Sequence, residues 1–245
     1  MLLTEFDANR QAIINPEDLN EPLEGFPKIA VSCFSRSTFQ RMIEMFPHEL
    51  IYETSMANVA IPIYKLVIAE QELALFNAPV GASACVAILE DIFALGADKL
   101  VLFGTCGVLD EDIKETSIII PSHSLRDEGT SFHYVEASDE IAVNVGVLDR
   151  FRSYLNERQI SHKEGKVWTT DGIYRETNGK LKARKAAGAI CVDMECSAVA
   201  ALAKFRGVEI CHFFYAADHL SEGNWDARNL SLIHISEPTR LGMIS

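Results

Sequence analysis

Apolar residues fall into short unbroken runs separated by stretches in which they recur every third or fourth position, the mark of buried strands alternating with amphipathic helices. Lys28–Phe34 (KIAVSCF) reads as the first strand and Ser37–Phe46 as a helix. The runs AIPIYKLVIA and LALFNAP flank Glu70, Gln71 and Glu72 and predict a hairpin. From Gly81 and Ser83 a helix is expected in which Cys85, Ile88, Leu89, Ile92 and Leu95 share one stripe and Gly96 closes the end. Asp98–Gly104 and Thr116–Pro121 are continuously apolar, as strands covered on both faces are, with a turn at Gly104, Thr105, Cys106 and Gly107 after the first of them. A polar loop, a long helix over Ser138–Arg158, strand KVWTT, helix NGKLKARKAAG, strand AICV, helix MECSAVAALAKFRG and strand VEICHFFYA complete the pattern. This alternation predicts a three-layer α/β domain, whose chemistry is sought at the carboxyl ends of the strands.

Residues 25–229 contain no repeat, low-complexity block or linker, and parse as one domain behind a polar lead-in at residues 1–24. Residues 230–245, LSLIHISEPTRLGMIS, resemble the forward translation of a sequencing-library adapter, with Leu241–Met243 in the place of its index, and are set aside as an artefactual tail. The natural product is then expected to continue beyond residue 229 with a different C-terminal element.

Charge narrows the partners. With 22 Lys and Arg against 35 Asp and Glu, the net charge of −13 repels nucleic acid and anionic membrane surfaces, so neither is an expected partner. The N-terminus lacks the basic-then-apolar order of a secretory signal, and no apolar run approaches the ~20 residues that span a bilayer. A soluble cytoplasmic protein is expected. Cys33, Cys85, Cys106, Cys191, Cys196 and Cys211 lie inside apolar runs without a Cys-x-x-Cys pair, which predicts reduced, buried thiols. His123, His133 and His219 have no metal-ligand spacing with carboxylates, so no metal is expected.

Three strand ends are polar beyond what packing needs: Gly104 to Gly107, Thr169-Thr170-Asp171, and Ala217-Asp218-His219. A fourth such segment is Val192-Asp193-Met194-Glu195 at a helix start. Each carboxylate also has a plain structural reading. Glu195 in a first helical turn suits the helix dipole, Asp218 suits a loop cap, and Asp193 suits a cap as well as it suits catalysis.

VDMECSAVAALAKFRG, followed after one strand by AADHL, resembles the signature of the nucleoside phosphorylase and nucleosidase superfamily, and LFGTCGVL with RDEGTSFHY resembles its central loops. The resemblance covers residues 28–229 in order and implies an α/β/α sandwich around a central mixed β-sheet. It further implies a pentosyltransferase that cleaves a nucleoside, a purine one by the match at Asp218, with inorganic phosphate as co-substrate and no cofactor. Glu195 would accept hydrogen bonds from the ribose hydroxyls, with Met194 packed on the sugar and Asp193 beside them. Asp218 would hold or donate the proton for the purine N7. Such placement suits the chemistry, because the departing base gathers negative charge while the sugar becomes positive.

By the same resemblance Thr170, Asp171 and Tyr174 line the base pocket, where Ile173 replaces a common aromatic residue, and Arg228 reaches the base-side loop. Phosphate would be held by Arg36, helped by the Ser35 and Ser37 hydroxyls and a helix N-terminus, by Thr105 with the backbone of Gly104 to Gly107, and by Arg126. Leu102 stands where phosphate-using members carry an arginine, which leaves a hydrolytic nucleosidase as the main alternative. A uridine phosphorylase and a catalytically weak nucleoside-binding protein are the others. The family implies a homo-oligomer, from dimer to hexamer.

Overall fold

The apolar runs pair into one mixed sheet, and the computed structural model describes it through residues 2–228. Residues 230–245, read above as an artefactual tail, lie outside the described residues. In chain order the elements are α1 (Pro16–Leu19), β1 (Ile29–Cys33), α2 (Arg36–Met45), β2 (His48–Met56), β3 (Val59–Ile68), β4 (Gln71–Asn77), α3 (Ala82–Leu95), β5 (Lys99–Val108), β6 (Ile118–Asp127), β7 (Glu140–Ala142), α4 (Leu148–Glu157), β8 (His162–Thr170), α5 (Asn178–Ala186), β9 (Ala189–Asp193), α6 (Cys196–Arg206), β10 (Glu209–Ser221) and β11 (Asn224–Asp226).

Strand β5 lies parallel to β1 on one side and to β10 on the other. Beyond β1 the sheet continues as β4, β3 and β2 to an open edge. On the other side β10 pairs with β6, β6 with β8, β8 with β9, and β9 returns antiparallel to β5 through Gly107 and Val108. Five strands therefore close on themselves, and closure sets the carboxyl-terminal halves of β5 and β9 side by side. A register shift between Ala216 and His219 in β10 falls opposite the same stretch of β5, and Asp218 sits inside that irregularity. Such a bulge re-aims a side chain out of the strict alternation.

Helices cover both faces. Phe39, Met42 and Ile43 of α2 and Leu155 of α4 pack on Val31, Phe103 and Phe213 of the sheet. On the opposite face Leu89 and Ile92 of α3 and Leu202 of α6 pack on Leu100, Leu102 and Phe214. This is the expected three-layer arrangement, with a mixed central sheet.

Three local expectations are corrected, and one strand went unassigned. The helix expected over Ser138–Arg158 is confined to Leu148–Glu157, and Glu140–Ala142 is a short strand on β6. Its first half cannot be helical, because Asn144 and Gly146 take φ of +56° and +85°. The turn expected at Gly104 to Gly107 is a continuation of β5, laddered to β10 through Phe214, Tyr215 and Ala216. The strand expected to stop at Ala216 runs on to Ser221. His48–Met56, unassigned by pattern, is the edge strand of the open wing; most of its side chains are at least partly exposed, so it carries little apolar periodicity.

Asn144 shows why the 138–147 segment abandons the helix. Its buried side chain donates to the carbonyls of Pro121 (3.0 Å) and His212 (2.9 Å) and accepts the His212 N–H at 2.6 Å, tying the loop to β6 and β10. Replacing Asn144 with Ala strands three buried backbone groups. A loss of about 2–4 kcal/mol is predicted by denaturant titration, and a loss below ~0.5 kcal/mol would show that the loop is not anchored there.

Candidate active site

A cleft of about 220 Å³ opens where β5, β9 and β10 meet the start of α6, and Glu195, Asp218, Met194, Asp193 and Thr105 all line it. Phe34, Val80, Val192 and Leu220 form apolar walls. Two glycines make room for them. A Cβ on Gly104 would stand 2.7 Å from the Phe34 ring, and one on Gly107 would stand 2.5 Å from Leu220 and 3.2 Å from Val192. The backbone of β5 can come this close to its neighbours only without side chains at those two positions.

Asp193 ends β9 and is buried. One of its carboxylate oxygens accepts the Thr169 hydroxyl at 2.6 Å; the other accepts the Glu195 and Cys196 N–H groups at 2.9 and 2.7 Å. It therefore caps α6 through the two N–H bonds, while its other oxygen ties it to Thr169 of β8. Glu195, relieved of capping, turns its carboxylate into the cleft and accepts the Gly81 N–H at 2.5 Å. Gly81 takes φ +101°, a conformation that L side chains rarely adopt. Burial first, and then the charge of Asp193, push the Glu195 carboxyl up to about 8, while the Gly81 N–H opposes the rise.

Asp218 approaches from β10. Trp225 on β11 donates its indole N–H to Asp218 Oδ2 at 2.7 Å. The other oxygen, Oδ1, lies 3.5 Å from where a Gly107 Cβ would stand. The fold thus brings Glu195 and Asp218 to one cavity from different elements, with Met194 and Thr105 beside them.

Other expected site residues lie elsewhere. Thr170 is buried and accepts the Gly172 N–H; Asp171 accepts the Gly129 N–H at 2.9 Å; Tyr174 is 95% exposed. None of the three lines the cleft. For Tyr174 the cause is a 3₁₀ turn over Ile173–Arg175, in which side chains three apart eclipse. Ile173 and Glu176 are the pair that faces the cavity. Glu176 went unrecognised in the sequence, where its only signal is that three-residue spacing. Burial, together with the charge of Asp218, pushes its carboxyl up to about 7.

The cations are displaced as well. Arg126 is buried and donates to the Ser131 and Ser138 hydroxyls and to the Glu136 and Val135 carbonyls, with its guanidinium over the Phe132 ring. This corrects the expectation of a phosphate ligand, because Arg126 holds the 131–138 loop. Arg228 donates to the carbonyls of Ala217 and Ile113 and braces the edge of β10. Arg36 is exposed at the first residue of α2, two residues beyond the cleft-lining Phe34, while Ser35 caps that helix through the Thr38 N–H. Leu102 is sealed in the core. No lysine or arginine lines the cleft among the described residues.

Also among the described residues, no group of three His, Cys, Asp or Glu is placed to hold a metal ion, and no helix is long and apolar enough to cross a membrane.

The carboxyl ends of strands, where this carboxylate-lined cavity opens, are where α/β folds bind their ligands. The chain belongs to the phosphorylase superfamily, whose sequence profile it matches over residues 28–235. Similar proteins include the DeoD-type purine nucleoside phosphorylases of Bacillus thuringiensis (strain Al Hakam) and Bacillus mycoides (strain KBAB4), each 28% identical over 142 residues, or 58% of this chain. The matched stretch spans 60% of the length of those relatives. Among solved structures, a uridine phosphorylase from Vibrio fischeri ES114 bound to 6-hydroxy-1-naphthoic acid aligns with a TM-score of 0.76 at 17% identity, over 93% of this chain and 95% of that one. The purine nucleoside phosphorylase of Toxoplasma gondii in complex with immucillin-H aligns with a TM-score of 0.73 at 18% identity, over 89% and 91%.

The raised Glu195 carboxyl has a consequence for stability. The folded chain holds its proton up to about pH 8, whereas the unfolded chain releases it in the ordinary carboxylate range. Between those limits the folded state binds more protons, so Glu195 costs stability as pH rises. Glu195→Gln is predicted to raise Tm at pH 8.5 by about 2–4 °C, the equivalent of ~1 kcal/mol in a chain of this size, and by less at pH 5. Thermal scans at the two pH values measure it, and an equal shift at both would remove the ionisation of Glu195 as its cause.

Proposed function

We propose that the chain cleaves the N-glycosidic bond of a purine nucleoside with inorganic phosphate, giving the free base and ribose 1-phosphate, without a further cofactor. The observation that carries this reading is the opening of Glu195 and Asp218 onto one cleft, with Met194 next to Glu195. As the bond from C1′ to the base breaks, its electron pair goes to the base and positive charge develops on the sugar. Glu195 is the carboxyl for the sugar side, binding the hydroxyls and stabilising that charge once the developing positive charge favours its ionised form. Asp218 is the carboxyl for the base side, where a proton on N7 neutralises the leaving group. The purine assignment draws on the match at Asp218 and on relatives named purine nucleoside phosphorylases. Thr105 in the cleft, with Arg36 beyond Phe34, is the proposed approach for phosphate. The protein is proposed to act in the cytoplasm as a homo-oligomer.

A specific observation favours a second reading, cleavage by water. The four charged side chains lining the cleft, Glu176, Asp193, Glu195 and Asp218, are all acidic, and a phosphate dianion entering there meets repulsion unless Arg36 or a neighbouring subunit supplies a cation.

Base release from adenosine, inosine and uridine, measured with and without phosphate, decides between them. Phosphorolysis predicts at least ~10²-fold faster release with phosphate, in keeping with the advantage of an oriented nucleophile. Equal release in its absence contradicts phosphorolysis and establishes the hydrolytic reading. Asp218→Asn is predicted to slow purine nucleoside cleavage by about 10²–10⁴-fold, the scale of a lost general acid, and to spare any uridine cleavage. Equal loss on both substrates would refute a base-specific role for Asp218.

A further inference from the structure

Asp218 does not stand alone at its end of the cleft. Glu176 lines the same cavity, presented by the 3₁₀ turn together with Ile173. The two carboxyls differ in how they are held. Asp218 accepts the Trp225 N–H at Oδ2, whereas Glu176 has no hydrogen-bond partner among the described residues. The charged groups acting on Glu176 are Asp218 of β10 and Lys180 of α5. Lys180 is turned away to Asp127, 3.0 Å from its ammonium. Burial and the charge of Asp218 push the Glu176 carboxyl up to about 7, so up to neutrality Glu176 keeps a proton beside the Asp218 carboxylate. This end of the cleft therefore offers one hydrogen-bond donor and one acceptor together.

We propose that Glu176 and Asp218 form a one-proton carboxyl pair that reads the leaving base, and that the pair selects 6-aminopurine over 6-oxopurine nucleosides. The proposal rests on the reading that Asp218 faces the base. A 6-aminopurine presents an N7 acceptor beside a 6-amino donor, the complement of an acid beside a carboxylate. A 6-oxopurine presents two acceptors, N7 and O6, so one of them is set against a carboxylate. A site built to pair both groups rejects the analogue that leaves one unpaired. Ile173 supplies an apolar surface beside the pair in place of an aromatic ring.

The test is kcat/KM for adenosine and inosine, at saturating phosphate, in the wild-type chain and in the Glu176→Gln and Glu176→Leu variants. The wild type should prefer adenosine by at least about tenfold, the worth of one well-placed hydrogen bond. Glu176→Gln, whose amide both donates and accepts, should keep that preference. Glu176→Leu should bring the two substrates to within about threefold of each other, mainly through loss on adenosine. In the wild type the preference should fade as pH rises past about 7 and Glu176 loses its proton, while Glu176→Gln holds it. If Glu176→Leu does not fold by circular dichroism, the pH series decides: a wild-type preference that persists to high pH overturns the proposal. Parity or an inosine preference in the wild type, or an undiminished adenosine preference in folded Glu176→Leu, also overturns it and leaves nucleoside cleavage standing. Failure of the wild type to cleave any nucleoside overturns the functional reading and this inference with it.

Discussion

The active cleft depends on one buried carboxylate, Asp193. A helix that starts directly at the end of a strand leaves its first N–H groups without partners, and α6 starts just after β9 ends, deep in the molecule. Asp193 satisfies two of those groups with a single oxygen and uses its other oxygen to hold Thr169. Thr169 in turn pairs with the Ser124 hydroxyl at 2.6 Å and accepts the Ser197 N–H at 3.1 Å. Ser197 donates to Glu128, which accepts the Ser131 N–H, and Ser131 is bonded by Arg126. Strands β6, β8 and β9 and helix α6 are thereby locked by a continuous buried polar network. Networks of this kind rigidify when every member is satisfied. What the lock delivers is a fixed backbone at Met194 and Glu195, so that the Glu195 carboxylate is free to face the cleft.

Closure of the sheet delivers the other half. Because β9 returns to β5, the residue pair Gly107 and Val192 lies next to the irregular stretch of β10 that holds Asp218. The acidic cavity is costly: burial drives the Asp193 and Glu195 carboxyls upward, Asp193 raises Glu195 further, and the N–H groups of the helix start and of Gly81 offset only part of that cost. Such strain concentrates where chemistry is done.

Much of this was legible in the residues. Unbroken apolar runs announced β1, β5 and β10, the stripe from Cys85 to Leu95 announced α3, and the VDME and Asp-His segments pointed to Glu195 and Asp218, which the fold sets around one cavity. What escaped the reading has physical causes. Strand β2 sits at an edge with little apolar content, so its pairing with β3 is decided by backbone bonds that leave no periodic trace. Asn144 overrides helical spacing through tertiary bonds to residues 23 and 68 positions away. Tyr174 turns outward and Glu176, which no pattern marked, faces the cavity because one tight turn decides which side chains face inward. Trp225 reaches Asp218 only because β11 folds back on β10, a contact that no local pattern encodes.

The central claim is that the Glu195 carboxylate stabilises the sugar as it becomes positive, and the turnover of Glu195→Gln tests it most directly. Above about pH 8, where the Glu195 carboxyl is ionised, the amide keeps the shape and can still bind a hydroxyl but removes the charge, so kcat for nucleoside cleavage should fall by roughly 10²-fold or more with KM changed little, the pattern of an interaction made in the transition state. An unchanged kcat, or a loss confined to KM, would contradict the account.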